Sequence, residues 1–318
     1  MKKLTKFRVS VVAAAFVALV SAAAHADSPG DAWATARGML PANTQVLFGV
    51  NIQTIRNSQT FQTLYSMAMA QAGEAKEDIE QMKAKCGFEL QDAIQSMVVA
   101  MDEGEKGVIF VSLKGVDQGK ALSCMNKMGE KEKKTFTAGP PDARGIIEYT
   151  QSGEKDKLYV AWLPKGVIAI STENKSKADL EKALSGKGLS PGNAANSVLG
   201  KVNVNAAVWG VVAKPQSIEE GIDMKVGYGH ADIGGGNITA DLRLVVANAA
   251  QATKAAAKGN EELKKMKDSG GLPPAALAVV NSAKISAAGD EVQIKANMAE
   301  KEAIGLLGMM AGGGGSPK

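Results

Sequence analysis

The sequence predicts an α+β fold built as two similar halves, each with mainly antiparallel strands in hairpins packed against helices. Three features carry that reading. Short apolar runs recur with turn-forming residues between them, which is the signature of hairpins. Segments with apolar residues at helical spacing separate those hairpins. The order strand, helix, hairpin, helix, hairpin, helix can be read twice, with Trp209-Gly210-Val211 standing where Phe48-Gly49-Val50 stood, so a tandem repeat is expected.

The chain has 318 residues, 45% hydrophobic and 22% charged, a globular composition. Met1 to Arg8 is a basic n-region, Val9 to Ala24 is apolar and alanine-rich, and Ala24-His25-Ala26 is a small-x-small site ahead of Asp27. That order reads as a signal peptide, residues 1–26, cleaved between Ala26 and Asp27. An uncleaved anchor is the rival reading, but the apolar stretch falls short of the roughly 20 residues a span needs. No transmembrane segment is expected after cleavage, and the protein is expected to be periplasmic or secreted. The formal charge of +4 belongs to the leader: of 37 basic residues four are Lys2, Lys3, Lys6 and Arg8, leaving 33 against 33 acids. A neutral mature chain without a basic block argues against nucleic acid as a partner.

The first half is expected over residues 27–185. After a lead-in over 31–43, Thr44 to Val50 reads as a buried strand. Ser58 is a plausible N-cap for a helix with Phe61, Leu64, Tyr65 and Ala68 on its apolar face. A charged helix follows to about Lys85 and stops at Cys86-Gly87. Ile94 to Met101 and Val108 to Leu113 form a hairpin across the polar turn 102–107, and a helix carries Ala121, Leu122, Met125 and Met128 with Cys124 on its flank. Strands at Gly145–Thr150, Lys157–Leu163 and Val167–Ser171, then a helix at Lys177–Leu184, complete the half.

Residues 186–196, rich in Gly, Ser and Pro, read as a linker. The second half, 197–311, opens with Ala206 to Val211. A hairpin pairs Met224–Ile233 with Asn237–Val246, and a long helix shows a stripe at Ala252, Ala256, Leu263 and Met266. A second hairpin pairs Ala283–Ala287 with Val292–Ala296, and a last helix carries Ala303, Leu306, Leu307 and Met310. Residues 312–318 are a glycine-rich tail, expected to be flexible.

Export gives the two cysteines their meaning. Cys86 and Cys124 are an even pair in an oxidising compartment, and a disulfide is expected, with loop-closure entropy contributing roughly 4 kcal/mol. A redox pair would favour Cys-x-x-Cys, which is absent, and a metal site would need more ligands.

The opening L-P-A-N-T-Q-V-L-F-G-V-N-I-Q-T-I-R-N-S, Leu40 to Ser58, resembles a loose group of exported bacterial proteins of unknown function with a Leu-Pro-Ala-x-Thr opening. The resemblance extends over the first half, including Cys86-Gly87 and the second cysteine. It implies an exported, duplicated α+β fold and transfers no catalytic residue.

The chemistry-bearing motifs are few. His230 is the only histidine left after cleavage, so zinc would have to use carboxylates and a Ser-His-Asp set would have to use His230, which reads as an ordinary strand residue. Asp102-Glu103-Gly104-Glu105 lacks calcium-loop spacing, and Ser152 to Lys155 reads as a turn. The glycine run 227–236 fails the dinucleotide fingerprint because Asp232 occupies its third glycine position, and it reads as a hairpin connection. No catalytic, metal or cofactor-binding residue is assigned. The pairs Met67/Met69 and Met309/Met310 suit core packing or an adaptable binding face. The functional expectation is an exported, soluble, non-enzymatic binding or scaffolding protein of the bacterial cell envelope. Its ligand or envelope partner is unidentified, and binding uses a groove between halves or an exposed sheet face. The alternatives are a periplasmic carrier of an apolar small molecule or lipid, and a carboxylate-based hydrolase.

Overall fold

In a computed structural model the chain is described over residues 31–71, 74–104, 106–130, 133–173, 176–219 and 221–305. The signal peptide with its Ala26/Asp27 junction, the Met309/Met310 pair and the 312–318 tail lie outside the described residues.

The chain begins with α1 (Asp31–Ala36), β1 (Val46–Val50), α2 (Ile52–Ile55), α3 (Gln59–Gln71), α4 (Glu74–Cys86), α5 (Leu90–Ala93) and the hairpin β2 (Ile94–Met101) and β3 (Gly107–Leu113). Next come α6 (Gln118–Gly129), β4 (Phe136–Ala138), β5 (Ile146–Gln151), β6 (Lys157–Leu163), β7 (Val167–Ser171), α7 (Lys177–Ala183) and α8 (Ala194–Leu199). The second half adds β8 (Val208–Val212), β9 (Gln216–Glu219), the hairpin β10 (Ile222–Gly234) and β11 (Asn237–Val246), α9 (Ala249–Asp268) and α10 (Pro274–Ser282). The hairpin β12 (Lys284–Ala288) and β13 (Glu291–Ala299) follows, and residues 300–305 are helical.

Local chemistry sets many of these boundaries. Ser58 Oγ accepts from Phe61 N at 3.0 Å and opens α3. Asp117, Ser176, Asn193 and Asn248 cap α6, α7, α8 and α9 in the same way. Gly235 and Gly236 both take positive φ, the backbone that a two-residue hairpin turn requires, and so join β10 to β11.

All paired strands are antiparallel and belong to one sheet, ordered β12-β13-β11-β10-β8-β1-β2-β3-β7-β6-β5-β4, with β9 paired to β10. The two halves are therefore continuous through β1 and β8. Phe48-Gly49-Val50 and Trp209-Gly210-Val211, similar in sequence, are direct antiparallel neighbours, with Gly49 opposite Trp209 and Phe48 opposite Gly210.

Helices lie on both faces. On the first face α1, α7 and α8 bury a core that includes Trp33, Leu47, Phe110, Val167, Leu180 and Trp209. On the second face α2 and α3 cover Val50, Met97 and Val111 with Ile52, Ile55 and Phe61. On that same face α6 lays Leu122 and Met125 over Ile147 and Tyr149, and α9 lays Ala252 and Ala256 over Ile222, Val246 and Val292.

The structure corrects the element order in several places. The lead-in contains α1, too short to show periodicity, yet its Ala32, Trp33 and Ala36 are buried. The supposed linker is packed: a methyl on Gly186 would overlap the Leu40 carbonyl, and Asn193 Nδ2 donates to Ala42 O at 3.0 Å and Thr44 O at 2.9 Å. The second half has β9 between β8 and β10 where a helix was expected, so the two element orders are not the same. The stripe on α9 is only half used, since Ala252 and Ala256 are buried while Met266 is exposed. Cys124, on the flank of α6, is buried against α4.

Trp209 is 1% exposed, and its indole lies over Gly49 with the Trp33 ring edge-on to it, centroids 4.9 Å apart. A methyl at Gly49 would overlap that indole. Gly49→Ala is expected to destabilise the protein by about 1–3 kcal/mol through overpacking, and Trp209→Ala by about 3–5 kcal/mol through cavity formation. Urea unfolding measures both. A Gly49→Ala variant as stable as the parent would exclude the close approach as a constraint.

Cys86 and Cys124 are bonded, Cα–Cα 4.8 Å, and tie the end of α4 to α6, against which α4 packs. Replacing either cysteine by serine is expected to lower Tm by about 5–10 °C under non-reducing conditions. Unchanged melting would assign the bridge no stabilising role.

Candidate functional site

Because strand side chains alternate between faces, the register shows which residues line each side of the sheet. On the second face three rows cross the seam into the second half. One runs Val46, Val212, Gly227, Leu244 and Val292; the next runs Phe48, Gly210, Gly229, Leu242 and Ile294; the third runs Val50, Val208, Ala231, Ala240 and Ala296. No polar side chain interrupts them.

The α2–α3 helices cover one end of these rows and α9 the other. Between them lies an apolar strip on β8, β10 and β11. Val212 is 39% exposed and Leu242 47%, while Gly210, Gly227 and Gly229 keep the strip low. The glycine run expected as a connection is thus mostly strand, with only Gly235 and Gly236 making the turn. Leu242 leans over Gly229, where a methyl would come within 2.8 Å of Leu242 Cδ2. Burying Leu242 and Val212 under a ligand would each contribute on the order of 1–1.5 kcal/mol, given that about half of each side chain is already covered.

The first face has the opposite character in the second half. Its rows read Val211, Tyr228, Arg243, Gln293, Ser286 and Trp209, His230, Asp241, Lys295, Lys284, so the core gives way to a polar platform. Arg243 lies between two half-buried carboxylates, its Nε 3.2 Å from Asp241 Oδ1 and its Nη1 3.4 Å from Glu291 Oε2. Gln293 Nε2 donates to both Asp241 oxygens at 3.0 and 2.9 Å, and Lys295 Nζ stands 3.7 Å from Asp241 Oδ2. Tyr228 Oη donates to Glu291 Oε1 at 3.1 Å, and Lys201 also donates to Glu291.

The Lys201 ammonium foremost holds the Glu291 carboxyl below the usual range against the opposing effect of burial. Burial pushes Asp241 up, but the Gln293 and Arg243 donors outweigh it and leave that carboxyl lowered as well. Two ionised acids joined by a guanidinium brace the platform; neither is a proton donor near neutrality. His230 sits in this row between Trp209 and Asp241.

The remaining residues singled out from the sequence are accounted for by local structure. Asp102 Oδ1 accepts from Gly104 N and Lys106 N at 2.9 and 3.0 Å, closing a solvated turn. Ser152 Oγ accepts from Thr135 N at 2.9 Å, a turn contact. Met67 and Met69 on α3 are half-buried, and at the strip it is Met224 whose Sδ lies beside Gly227. Among the described residues no three His, Cys, Asp or Glu side chains converge as metal ligands. No described helix is long and apolar enough to cross a membrane. A shallow cleft of about 480 Å³ at one end of the seam is lined by Asn43, Gln45, Ser190 and Asn193 with Ala213 and Pro215, all uncharged.

Sequence reasoning missed the strip because the rows that contain it cross five strands, and only the register assembles them. The available signal was the small, uncharged alternation Gly227, Gly229, Ala231 within one strand.

Both platform carboxyls titrate lower in the folded chain than in the unfolded one. Their contribution is therefore present above about pH 4 and is lost as pH falls through the folded values. Arg243→Ala should destabilise most at pH 7 and progressively less toward pH 2–3, as read from urea midpoints. A pH-independent difference would mean that the guanidinium acts by packing alone.

No family model matches this chain, and no curated protein matches it. Among solved structures it is similar to TP0453 in crystal form III, with 10% sequence identity and a TM-score of 0.47, covering 89% of this chain and 98% of that one. Crystal form I of TP0453 gives 10% identity and a TM-score of 0.46 over 87% and 98% of the two chains.

Proposed function

We propose that this is an exported, non-enzymatic binding protein of the bacterial cell envelope, periplasmic or secreted, that takes an apolar ligand on the strip formed by β8, β10 and β11. The observation that carries the reading is three rows of apolar and glycine residues left open between two helical covers, with Val212 and Leu242 at its surface. An exposed contiguous apolar patch on an otherwise ordinary surface marks a binding site. The space over Gly229 is filled by Leu242 itself, so a ligand on the strip would rest on Leu242 and Val212.

The leader-like order of residues 1–26 supports export, and the Cys86–Cys124 bridge is in keeping with an oxidising compartment. The two halves, each entering the sheet through its first strand at the seam and placing a hairpin next to it, support a reading of the halves as related units. Of the two alternatives, an apolar-ligand carrier agrees with the strip. A carboxylate-based hydrolase would draw on Asp241 and Glu291, and the shared Arg243 counts against it.

Native mass spectrometry on protein purified from its own envelope tests the reading, with denatured spectra as control. The parent is expected to carry an extra mass that is lost on denaturation. Leu242→Glu, at a position already open to solvent, is expected to fold and to arrive without it. A bare parent, or a variant that retains the ligand, would move the binding site off the strip. The denatured mass also reads cleavage after Ala26.

A further inference from the structure

The two ends of the sheet are treated differently. At β4 a helix side chain caps the edge at one residue: Asn126 of α6 accepts from Phe136 N at 2.6 Å and donates to Phe136 O at 3.1 Å, occupying both outward groups of that residue. At β12 only one outward group is taken, where Asn260 of α9 donates to Ile285 O at 3.0 Å.

The two-residue turn Gly289-Asp290 makes Ala288 and Glu291 a hydrogen-bonded pair, so Ser286 and Lys284 also bond inward to β13. Ile285 and Ala287 alternate with them and turn their backbone groups outward, as the Asn260 contact to Ile285 O attests. Since β12 ends the sheet, the N–H of Ile285 and both backbone groups of Ala287 have no partner strand among the described residues.

The side chains along this edge are small: Ser286, Ala287 and Ala288 are all exposed. Its charge is one-sided. Lys284 lies directly across from Lys295 on the polar platform face, an unfavourable like-charge pairing. Lys295 reaches Asp241, whereas Lys284 forms no ion pair among the described residues. On the opposite face of the same strand stand Ile285 and Ala287.

From these features we propose that β12 is an open docking edge that accepts an extended segment of a partner protein by strand addition, with acidic residues toward Lys284 and small apolar residues toward Ile285 and Ala287. Backbone pairing to Ile285 and Ala287 supplies the affinity, and the alternating acidic and apolar pattern supplies the selection. An acidic side chain beside Lys284 relieves the lysine pair that β12 and β13 otherwise present. The inference is independent of any ligand on the apolar strip, which lies on other strands.

The test is amide hydrogen exchange of the full chain with two peptides, acetyl-Val-Glu-Val-Glu-Val-amide and its lysine counterpart, across a range of protein concentrations. The acidic peptide is expected to slow exchange at Ile285 and Ala287 roughly tenfold, and the basic one to leave both unchanged. Ala287→Pro removes an outward N–H without touching the ladder to β13, so it should fold as the parent does and lose the protection. Lys284→Glu keeps every backbone group and should reverse the preference between peptides, which serves as a second arm should the proline variant misfold. No slowing at saturating acidic peptide, or equal slowing by both peptides, would overturn the proposal. Protection that rises with protein concentration and no peptide would assign the edge to a second copy of this chain and overturn it equally.

Discussion

The backbone pairing of β1 with β8 is the joint on which the rest of the molecule is hung. Every strand of the first half reaches the second through these five-residue partners, and the pairing is fastened at both ends. Asn51, itself buried, donates from its side chain to Val204 O and Ala206 O just beyond one end. At the other end Ala213 N donates to Gln45 O, and Asn193 holds Ala42 and Thr44. In the middle Gly49 yields its side-chain volume to Trp209, which lets Trp33 of α1 close over the seam. An aromatic ring over a cross-strand glycine both fills the missing volume and fixes the register, since a one-residue slip would turn Trp209 to the opposite face.

From that register follows the division of the two faces beyond the seam. The same alternation that buries Trp209 and Val211 on one side carries His230, Asp241 and Lys295 on that side farther out, where no helix covers them. The other side receives Gly210, Gly229 and Leu242. A sheet with one polar and one apolar face ordinarily buries the apolar one completely. Here the helical covers stand at either end of it, and the strip between them is the feature on which the functional reading rests.

Much of the architecture was legible in the chain itself because its causes are local. The hairpins β2–β3, β10–β11 and β12–β13 follow from apolar runs flanking polar or glycine turns, and Ser58 marks the start of α3 as its chemistry requires. The Cys86–Cys124 bridge followed from the expectation of export and an even count. What escaped reading was long-range or short. The likeness of Phe48-Gly49-Val50 to Trp209-Gly210-Val211 suggested equivalent positions in two halves, whereas the two segments touch. The helices α1, α8 and α10 have too few turns for periodicity to declare them, and β4 has only three residues. The apolar strip is a property of register across five strands, invisible in any one of them, and the polar platform likewise assembles Lys201, Tyr228, Arg243 and Glu291 from distant segments.

A seam made by residues such as Asn51 and Ala206, 155 positions apart, has a consequence in time. Delivered from its N-terminal end, the chain presents β1 well before β8. During that interval β1 can pair with β2 alone. Its other edge is bare, Gly49 has no ring above it, and Trp33 of α1 lacks the Trp209 ring. The first half therefore waits as an incomplete sheet whose most adhesive edge is the one reserved for its own continuation. A closure between residues so far apart in the chain is entropically late.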